Sequence, residues 1–216
     1  MLNPELDLDA LAEQYRLEKR LRIKDFLEAE VAAKIFQYSQ ESAEYRLVYA
    51  KDGQNVAMGM DELAKLSASE KKQMNLEIMN AGSKGEGFLY SGYQMGQAGD
   101  TEDEKLRFLH EVFEFFNGDA LISAIRTITG ETGIVSADAQ YTKFTPGHFL
   151  TRHRDVVPGK DRRVAYVYSS TWGWHPDWGG LLQFYREDGS PRDAWSPGFN
   201  ILSLFDTSHI HSVTYV

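Results

Sequence analysis

Apolar positions in the first half of the chain recur at helical spacing, while from Ile134 onward they come in short alternating runs broken by turns. Asp7 is a good N-cap for a short helix with Leu8, Leu11, Ala12 and Tyr15 on one side. A second helix is predicted from Asp25 to Gln40, with Phe26, Leu27, Val31, Ile35 and Tyr38 on its apolar side. Tyr45 to Tyr49 predicts a strand, and Asp52-Gly53 is a turn signal that closes a hairpin with the residues after it. Asp61 to Asn80 is helical but weakly patterned. Helices are also predicted over Glu104 to Phe116 and Asp119 to Thr129, split by Asn117-Gly118. Their stripes Leu106, Leu109, Phe113, Phe116 and Leu121, Ile122, Ile125, Ile128 suit packing against a sheet. Between them and the weak helix, Ala81 to Asp103 carries Gly82, Gly85, Gly87, Gly92, Gly96 and Gly99, and is expected to be a connector with one short strand around Phe88 to Tyr93. No G-x-x-x-x-G-K-[ST] pattern accompanies these glycines, so a phosphate cradle is not indicated.

Beyond Ile134, Pro146-Gly147, Pro158-Gly159, Gly179-Gly180, Asp188-Gly189 and Pro197-Gly198 punctuate runs rich in Val, Ile, Tyr and Phe. Turn signals at that density imply antiparallel strands in a sandwich or barrel. The fold class is therefore α+β. Residues 1–216 are expected to form a single catalytic domain, with a mainly helical support region over 1–133 and a strand-rich core over 134–216.

Composition narrows the class further. A chain of 216 residues is long enough to bury a sizeable core. No run reaches the 18 or more apolar residues of a membrane span, and MLNPELDLDA lacks the basic and apolar regions of a signal peptide, so a cytoplasmic location and no membrane partner are expected. The absence of cysteine excludes disulfides, zinc–thiolate sites and thiol nucleophiles. A formal charge of −9 disfavours a phosphate backbone as partner, and no nucleic acid is expected. The oligomeric state is not legible.

The chemistry concentrates at His153-Arg154-Asp155 and, far downstream, His211 within Ser208-His209-Ile210-His211-Ser212-Val213. Side chains at i and i+2 of a strand share a face, so His153 and Asp155 can bind one ion while a distant strand supplies a second imidazole. Two histidines and one carboxylate are the facial ligand set of non-haem Fe(II) oxygenases. Alternation places His209 on the same face as His211, which makes it the competitor for the distal ligand. The same alternation turns Arg152 and Arg154 away from the metal. Trp172, Trp174 and Trp178 crowd with His175 and Asp177 into one connector, either as a lip facing substrate or as packing that pins the loop. His110 and His148 carry no expected site role.

In order and spacing, AQYTKFTPGHFLTRHRD (139–155), RRVAYVYSS, WGGLLQFY, NILSLFD and HIHSV resemble the 2-oxoglutarate and Fe(II)-dependent dioxygenases, in their prolyl 4-hydroxylase-like branch. The resemblance runs from about residue 134 to Val216. It implies a double-stranded β-helix, or jelly roll, whose larger sheet is covered on its outer face by the helices of the first half. It implies iron on His153, Asp155 and His211, with 2-oxoglutarate and O2 as cosubstrates and ascorbate as a supporting reductant. Tyr168, with Tyr166 on the same face, matches a position where relatives hydrogen-bond 2-oxoglutarate, and Phe144 replaces a tyrosine common in the family. The implied reaction is hydroxylation of a C–H bond, first of all at a prolyl residue of a protein or peptide, engaged by the Trp172–Trp178 loop and the glycine-rich connector. Relatives hold the distal carboxylate of 2-oxoglutarate with an Arg or Lys about ten residues past the distal histidine, so the natural chain is expected to continue past Val216. Arg152, Arg154, Arg163 and Lys143 are the substitutes within the sequence. Two other classes stay open: a cupin-like metal-binding protein that does not use 2-oxoglutarate, and a catalytically silent β-sandwich binding module.

Overall fold

Strand parity decides which side chains meet in this molecule, because two antiparallel sheets face each other and every second residue points between them. The computed structural model describes residues 1–95, 101–156 and 159–216. Along the chain run α1 (Leu8–Glu18), β1 (Arg20–Lys24), α2 (Ala29–Glu41), β2 (Arg46–Lys51), β3 (Gln54–Met58), α3 (Met60–Lys65), α4 (Ala68–Ser83), β4 (Phe88–Gln94), α5 (Glu104–Asn117) and α6 (Asp119–Thr129). Then come β5 (Gln140–Lys143), β6 (Phe149–His153), β7 (Val164–Ser170), β8 (Leu182–Tyr185), β9 (Pro191–Trp195), β10 (Phe199–Asp206) and β11 (His211–Val213).

The smaller sheet has the order β1-β10-β7, and the larger has β3-β2-β4-β6-β11-β8-β9 with β5 paired to β4. Leu21, Ile23, Leu202 and Leu204 leave one face of the smaller sheet and enter the main core with Tyr15, Ile35, Val112, Phe116, Leu121 and Ile128 of α1, α2, α5 and α6. Phe205, of opposite parity to Leu204, packs between the sheets on Leu182 and Phe184, with Ala165 and Trp195 alongside. Four helices thus cover the smaller sheet and not, as expected, the larger. The larger one is backed by α4, where Ile78 meets Leu47, Tyr49 and Phe149 with Leu63 of α3 alongside. Here two glycines are required by close approach: a Cβ on Gly82 would sit 2.8 Å from the Phe149 ring, and one on Gly87 would sit 2.5 Å from the Gly82 nitrogen.

Local chemistry accounts for most boundaries. The Asp7 carboxylate accepts from Ala10 N at 3.0 Å and caps α1. The predicted Asp61–Asn80 helix is interrupted before Ser67, which starts α4 with a capping box to Glu70. The second helix begins at Ala29 instead of Asp25, because Asp25 is left-handed (φ 50) and the next two residues are claimed by β10. Phe26 N donates to Asn200 O at 3.2 Å and Leu27 N to Asn200 Oδ1 at 2.9 Å. Strand β1 is not predicted by the pattern of the sequence. Its inward residues Arg20 and Arg22 break the apolar alternation, yet Arg20 is almost wholly buried, paired with Asp193 of β9 at 2.5 Å and Glu18 at 2.8 Å. With β2, β3 and β4 it makes the first 133 residues contributors to both sheets. Of the expected connector and turns, residues 96–100 and 157–158 lie outside the described residues. Among the described residues, no helix is long and apolar enough to cross a membrane.

Candidate metal centre

The end of β6 lies beside the start of β11, with His153 directly opposite His211 in the antiparallel register. A register shift between that pair and Leu150–Val213 lets both imidazoles turn between the sheets. Their ring centroids are 4.2 Å apart. Asp155, just past β6, faces both: its carboxylate oxygens lie 3.6 Å from His153 Nε2 and 3.5 Å from His211 Nε2. One donor atom from each of the three falls within 4.8 Å of the others. Donors on adjacent octahedral vertices about 2.1 Å from a metal are about 3 Å apart, so a divalent ion is held by all three once the carboxylate draws about half an ångström nearer each imidazole and the two imidazole nitrogens, which lie within 4.8 Å of each other, draw together as well.

Backbone carbonyls set the tautomers. His153 Nδ1 is 3.0 Å from Thr151 O and His211 Nδ1 is 3.1 Å from His209 O. With Nδ1–H donating in each case, both Nε2 lone pairs point at Asp155 and are free to ligate. The electrostatics divide the pair. Burial depresses the His211 pKa below the ordinary value and the neighbouring His153 adds to this, so His211 is held neutral. Burial works the same way on His153, but the Asp155 carboxylate and the Thr151 carbonyl outweigh it and raise its pKa. Burial alone would raise Asp155, yet the two histidines and Arg162 bring its pKa below the usual carboxylate value. The carboxylate is therefore ionised, and the donor set of two imidazoles and one anion suits a borderline divalent metal while leaving positions open.

Packing holds the distal ligand. His211 is buried against Phe205 (centroids 4.8 Å apart) and Phe184 (6.3 Å). Phe184 is in turn covered by the Arg20 guanidinium, 4.8 Å from its ring centre. His209, the competitor in sequence, is not part of the cluster. Its Nε2 lies 3.1 Å from Glu18 O at the end of α1.

The structure does not bring Tyr166 and Tyr168 to the three ligands. They pair with Leu204 and Leu202, share the face those leucines present to the helices, and pack on Phe116, Tyr166 stacked and Tyr168 edge-on. The Tyr168 hydroxyl donates to Asn200 Oδ1 at 3.1 Å and that of Tyr166 to Asp138 O at 3.1 Å. Strand parity is the reason: Phe205, the residue against His211, lies opposite Ala165, so Ala165, Val167 and Ser169 point between the sheets. The alternation was visible in RRVAYVYSS, but not which phase faced inward. Val167 is 42% exposed there, a signal the sequence could not give.

The Trp172–Trp178 loop is displaced as well. It follows Ser170, which pairs with Phe199 at the end of β7 away from Ala165, about 16 Å along the strand at 3.3 Å per residue. Trp172 stacks on Phe199 at 3.8 Å and Trp174 meets Trp178 edge-on at 5.4 Å, so these rings pin the far end of the sandwich and do not form a lip at the metal. The cations near the motif are engaged elsewhere: Arg154 with Glu187 (2.6 Å), Arg163 with Asp161 (2.9 Å), Arg152 over the Tyr185 ring and Lys143 over Tyr45. Phe144 stacks with Tyr90. His110 bonds the Tyr93 hydroxyl, and His148 is buried beside Thr145 and the Lys143 carbonyl.

Residues 139–216, which contain all three ligands, match the 2OG-Fe(II) oxygenase superfamily. No curated protein matches the chain in sequence. Among solved structures, a Pseudomonas putida prolyl-4-hydroxylase is 17% identical with a TM-score of 0.60, over 96% of this chain and 91% of that one. A Trichoplax adhaerens prolyl hydroxylase, in complex with a hypoxia inducible factor oxygen degradation domain peptide, is 16% identical with a TM-score of 0.64, over 96% and 82%. An oxidoreductase of the 2OG-Fe(II) oxygenase family from Burkholderia pseudomallei is 13% identical with a TM-score of 0.60, over 100% and 87%. At these identities the likeness is one of fold, and the fold is the jelly roll.

Proposed function

We propose, from the match of residues 139–216 to the 2OG-Fe(II) oxygenase superfamily, that the chain is an Fe(II)- and 2-oxoglutarate-dependent dioxygenase that hydroxylates a prolyl residue of a protein or peptide. The observation that carries this is the meeting of His153, Asp155 and His211 between the two sheets inside the matched segment. Their donor set fits Fe(II), which when bound supplies the oxidation of a substrate C–H bond, coupled to conversion of 2-oxoglutarate and O2 into succinate and CO2.

The chain's own residues do the rest. His153 and His211 present Nε2 and not Nδ1 to the ion because their Nδ1–H groups are spent on carbonyls. Asp155 brings the negative charge that balances part of the ion's. Phe205 and Phe184 exclude water from one side of the distal ligand and hold its ring at a fixed angle. The prolyl and peptide part of the reading rests on the two prolyl hydroxylases of the same fold, one of them holding a peptide.

A second reading, metal binding without 2-oxoglutarate, is favoured by the engagement of Arg152, Arg154, Arg163 and Lys143 away from the ligands. One experiment separates the two. Purified protein with Fe(II), ascorbate, O2 and 2-oxoglutarate should form succinate, faster in the presence of proline-containing peptides that then gain 16 mass units. Metal binding with no succinate would favour the second reading, and succinate with hydroxylation only of free small molecules would remove the peptide substrate.

A further inference from the structure

We propose that His209 is a positioning residue, whose side-chain N–H ties the metal-ligand strand to the end of helix α1 and so fixes the His211 imidazole. This rests on the metal reading of the site. His209 occupies an unusual place: its main chain and its side chain serve two different ends of the molecule. The carbonyl oxygen accepts from His211 Nδ1 at 3.1 Å and selects the tautomer that leaves Nε2 for the metal. The imidazole Nε2 lies 3.1 Å from Glu18 O, and since a carbonyl only accepts, Nε2–H is the donor. Any rotation of the 207–210 turn therefore moves the carbonyl that orients the ligand.

The anchor at the other end is rigid. Glu18 closes α1, and its carboxylate bonds the buried Arg20 guanidinium at 2.8 Å. Arg20 also bonds Asp193 on the opposite sheet and covers the Phe184 ring that packs toward His211. Lys19 O accepts from Asp206 N at 2.9 Å, so the α1–β1 corner grips the end of β10 as well. The ligand is thus steadied twice from the same three residues, Glu18 to Arg20: through ring packing by way of Phe184, and through hydrogen bonds by way of His209. Without the His209 link, the turn retains the local bonds of His209 N to Asp206 O and Ser208 N to Asp206 Oδ1, the bonds of Thr207 to the Arg162 and Arg163 carbonyls, the second of which is long at 3.4 Å, and the bond of Tyr185 N to Ile210 O at 3.0 Å. These hold the main chain on either side of the His209 carbonyl, and the side-chain bond to Glu18 O is what ties His209 itself to α1.

Partners of a metal-ligating histidine of this kind are worth about 10–100-fold in metal affinity. The test uses Mn(II) as the probe and compares His209→Ala, His209→Gln and His209→Asn in the full chain. A glutamine amide can reach the place of Nε2, whereas the shorter asparagine amide corresponds to Nδ1. We expect Mn(II) binding, followed by paramagnetic resonance of the free ion, to weaken roughly tenfold in His209→Ala and His209→Asn and to return to within about threefold of wild type in His209→Gln. Measurement at least 20 °C below each variant's melting temperature removes unfolding as a cause. Equal Mn(II) affinity in wild type and His209→Ala would overturn the proposal, as would equal loss in all three variants, which would show that the ring's packing and not its N–H is needed. Failure of wild type itself to bind Mn(II), with Asp155→Ala indistinguishable from it, would instead remove the metal reading.

Discussion

Replacing Tyr168 with Phe tests whether strand parity or sequence position decides a residue's role. The Tyr168 hydroxyl donates a single bond of 3.1 Å to Asn200 Oδ1. That oxygen keeps a second donor, Leu27 N at 2.9 Å, and the Asn200 amide still donates to Leu27 O at 2.7 Å. No buried group is orphaned, so the loss is one net hydrogen bond, about 1 kcal/mol. For a chain of this length that lowers the melting temperature by about 2–4 °C. The edge-on contact with Phe116 survives in the Phe side chain. A tyrosine that bound the carboxylate of 2-oxoglutarate would behave differently: a hydrogen bond to a charged group is worth about 1.5–3 kcal/mol, which is tenfold or more in affinity. Thermal melting and the 2-oxoglutarate dependence of succinate formation therefore separate the two roles. The expected result is a small loss of stability with 2-oxoglutarate affinity within about twofold of wild type. A tenfold rise in KM for 2-oxoglutarate at unchanged melting temperature would refute the orientation of β7 in which Ala165 and Val167 face the other sheet.

At the metal, Asp155→Ala should lower Mn(II) or Fe(II) affinity by at least about a hundredfold and abolish succinate formation, since the only anionic ligand is lost; isothermal calorimetry checks the first and product analysis the second. Metal affinity should rise with pH and then level off above the raised pKa of His153, because the ion must displace a proton from that ring, whereas His211 is already neutral. Proton release on Mn(II) binding at two pH values checks the sign: it should be larger at pH 6 than at pH 8. Trp172→Ala should leave peptide turnover within about twofold of wild type while destabilising the far end of the sandwich, where the ring stacks on Phe199, by about 1–3 kcal/mol. A large loss of turnover with unchanged melting would return that loop to the substrate.

How much of this was written in the chain depends on whether neighbours along the sequence or neighbours in space decide a feature. The helices over Glu104–Asn117 and Asp119–Thr129 were legible because their apolar stripes and the Asn117-Gly118 break are local. So was the meeting of His153 with Asp155, two residues apart where β6 ends, and the order of motifs that pointed to a jelly roll. Strand β1 was not, because the arginines it turns inward break the apolar alternation, and only folding reveals that Arg20 is paired with Asp193 and Glu18 while Arg22 bonds the Ser196 carbonyl. Nor was the inward phase of β7: alternation in sequence gives two faces without saying which is covered by helices and which meets the other sheet, so Tyr166 and Tyr168 went to the wrong one. The choice of His211 over His209 shows the same division. Both are histidines two residues apart, and the sequence made them rivals; the register with His153 turns one toward Asp155, while the Glu18 carbonyl holds the other's ring away from it.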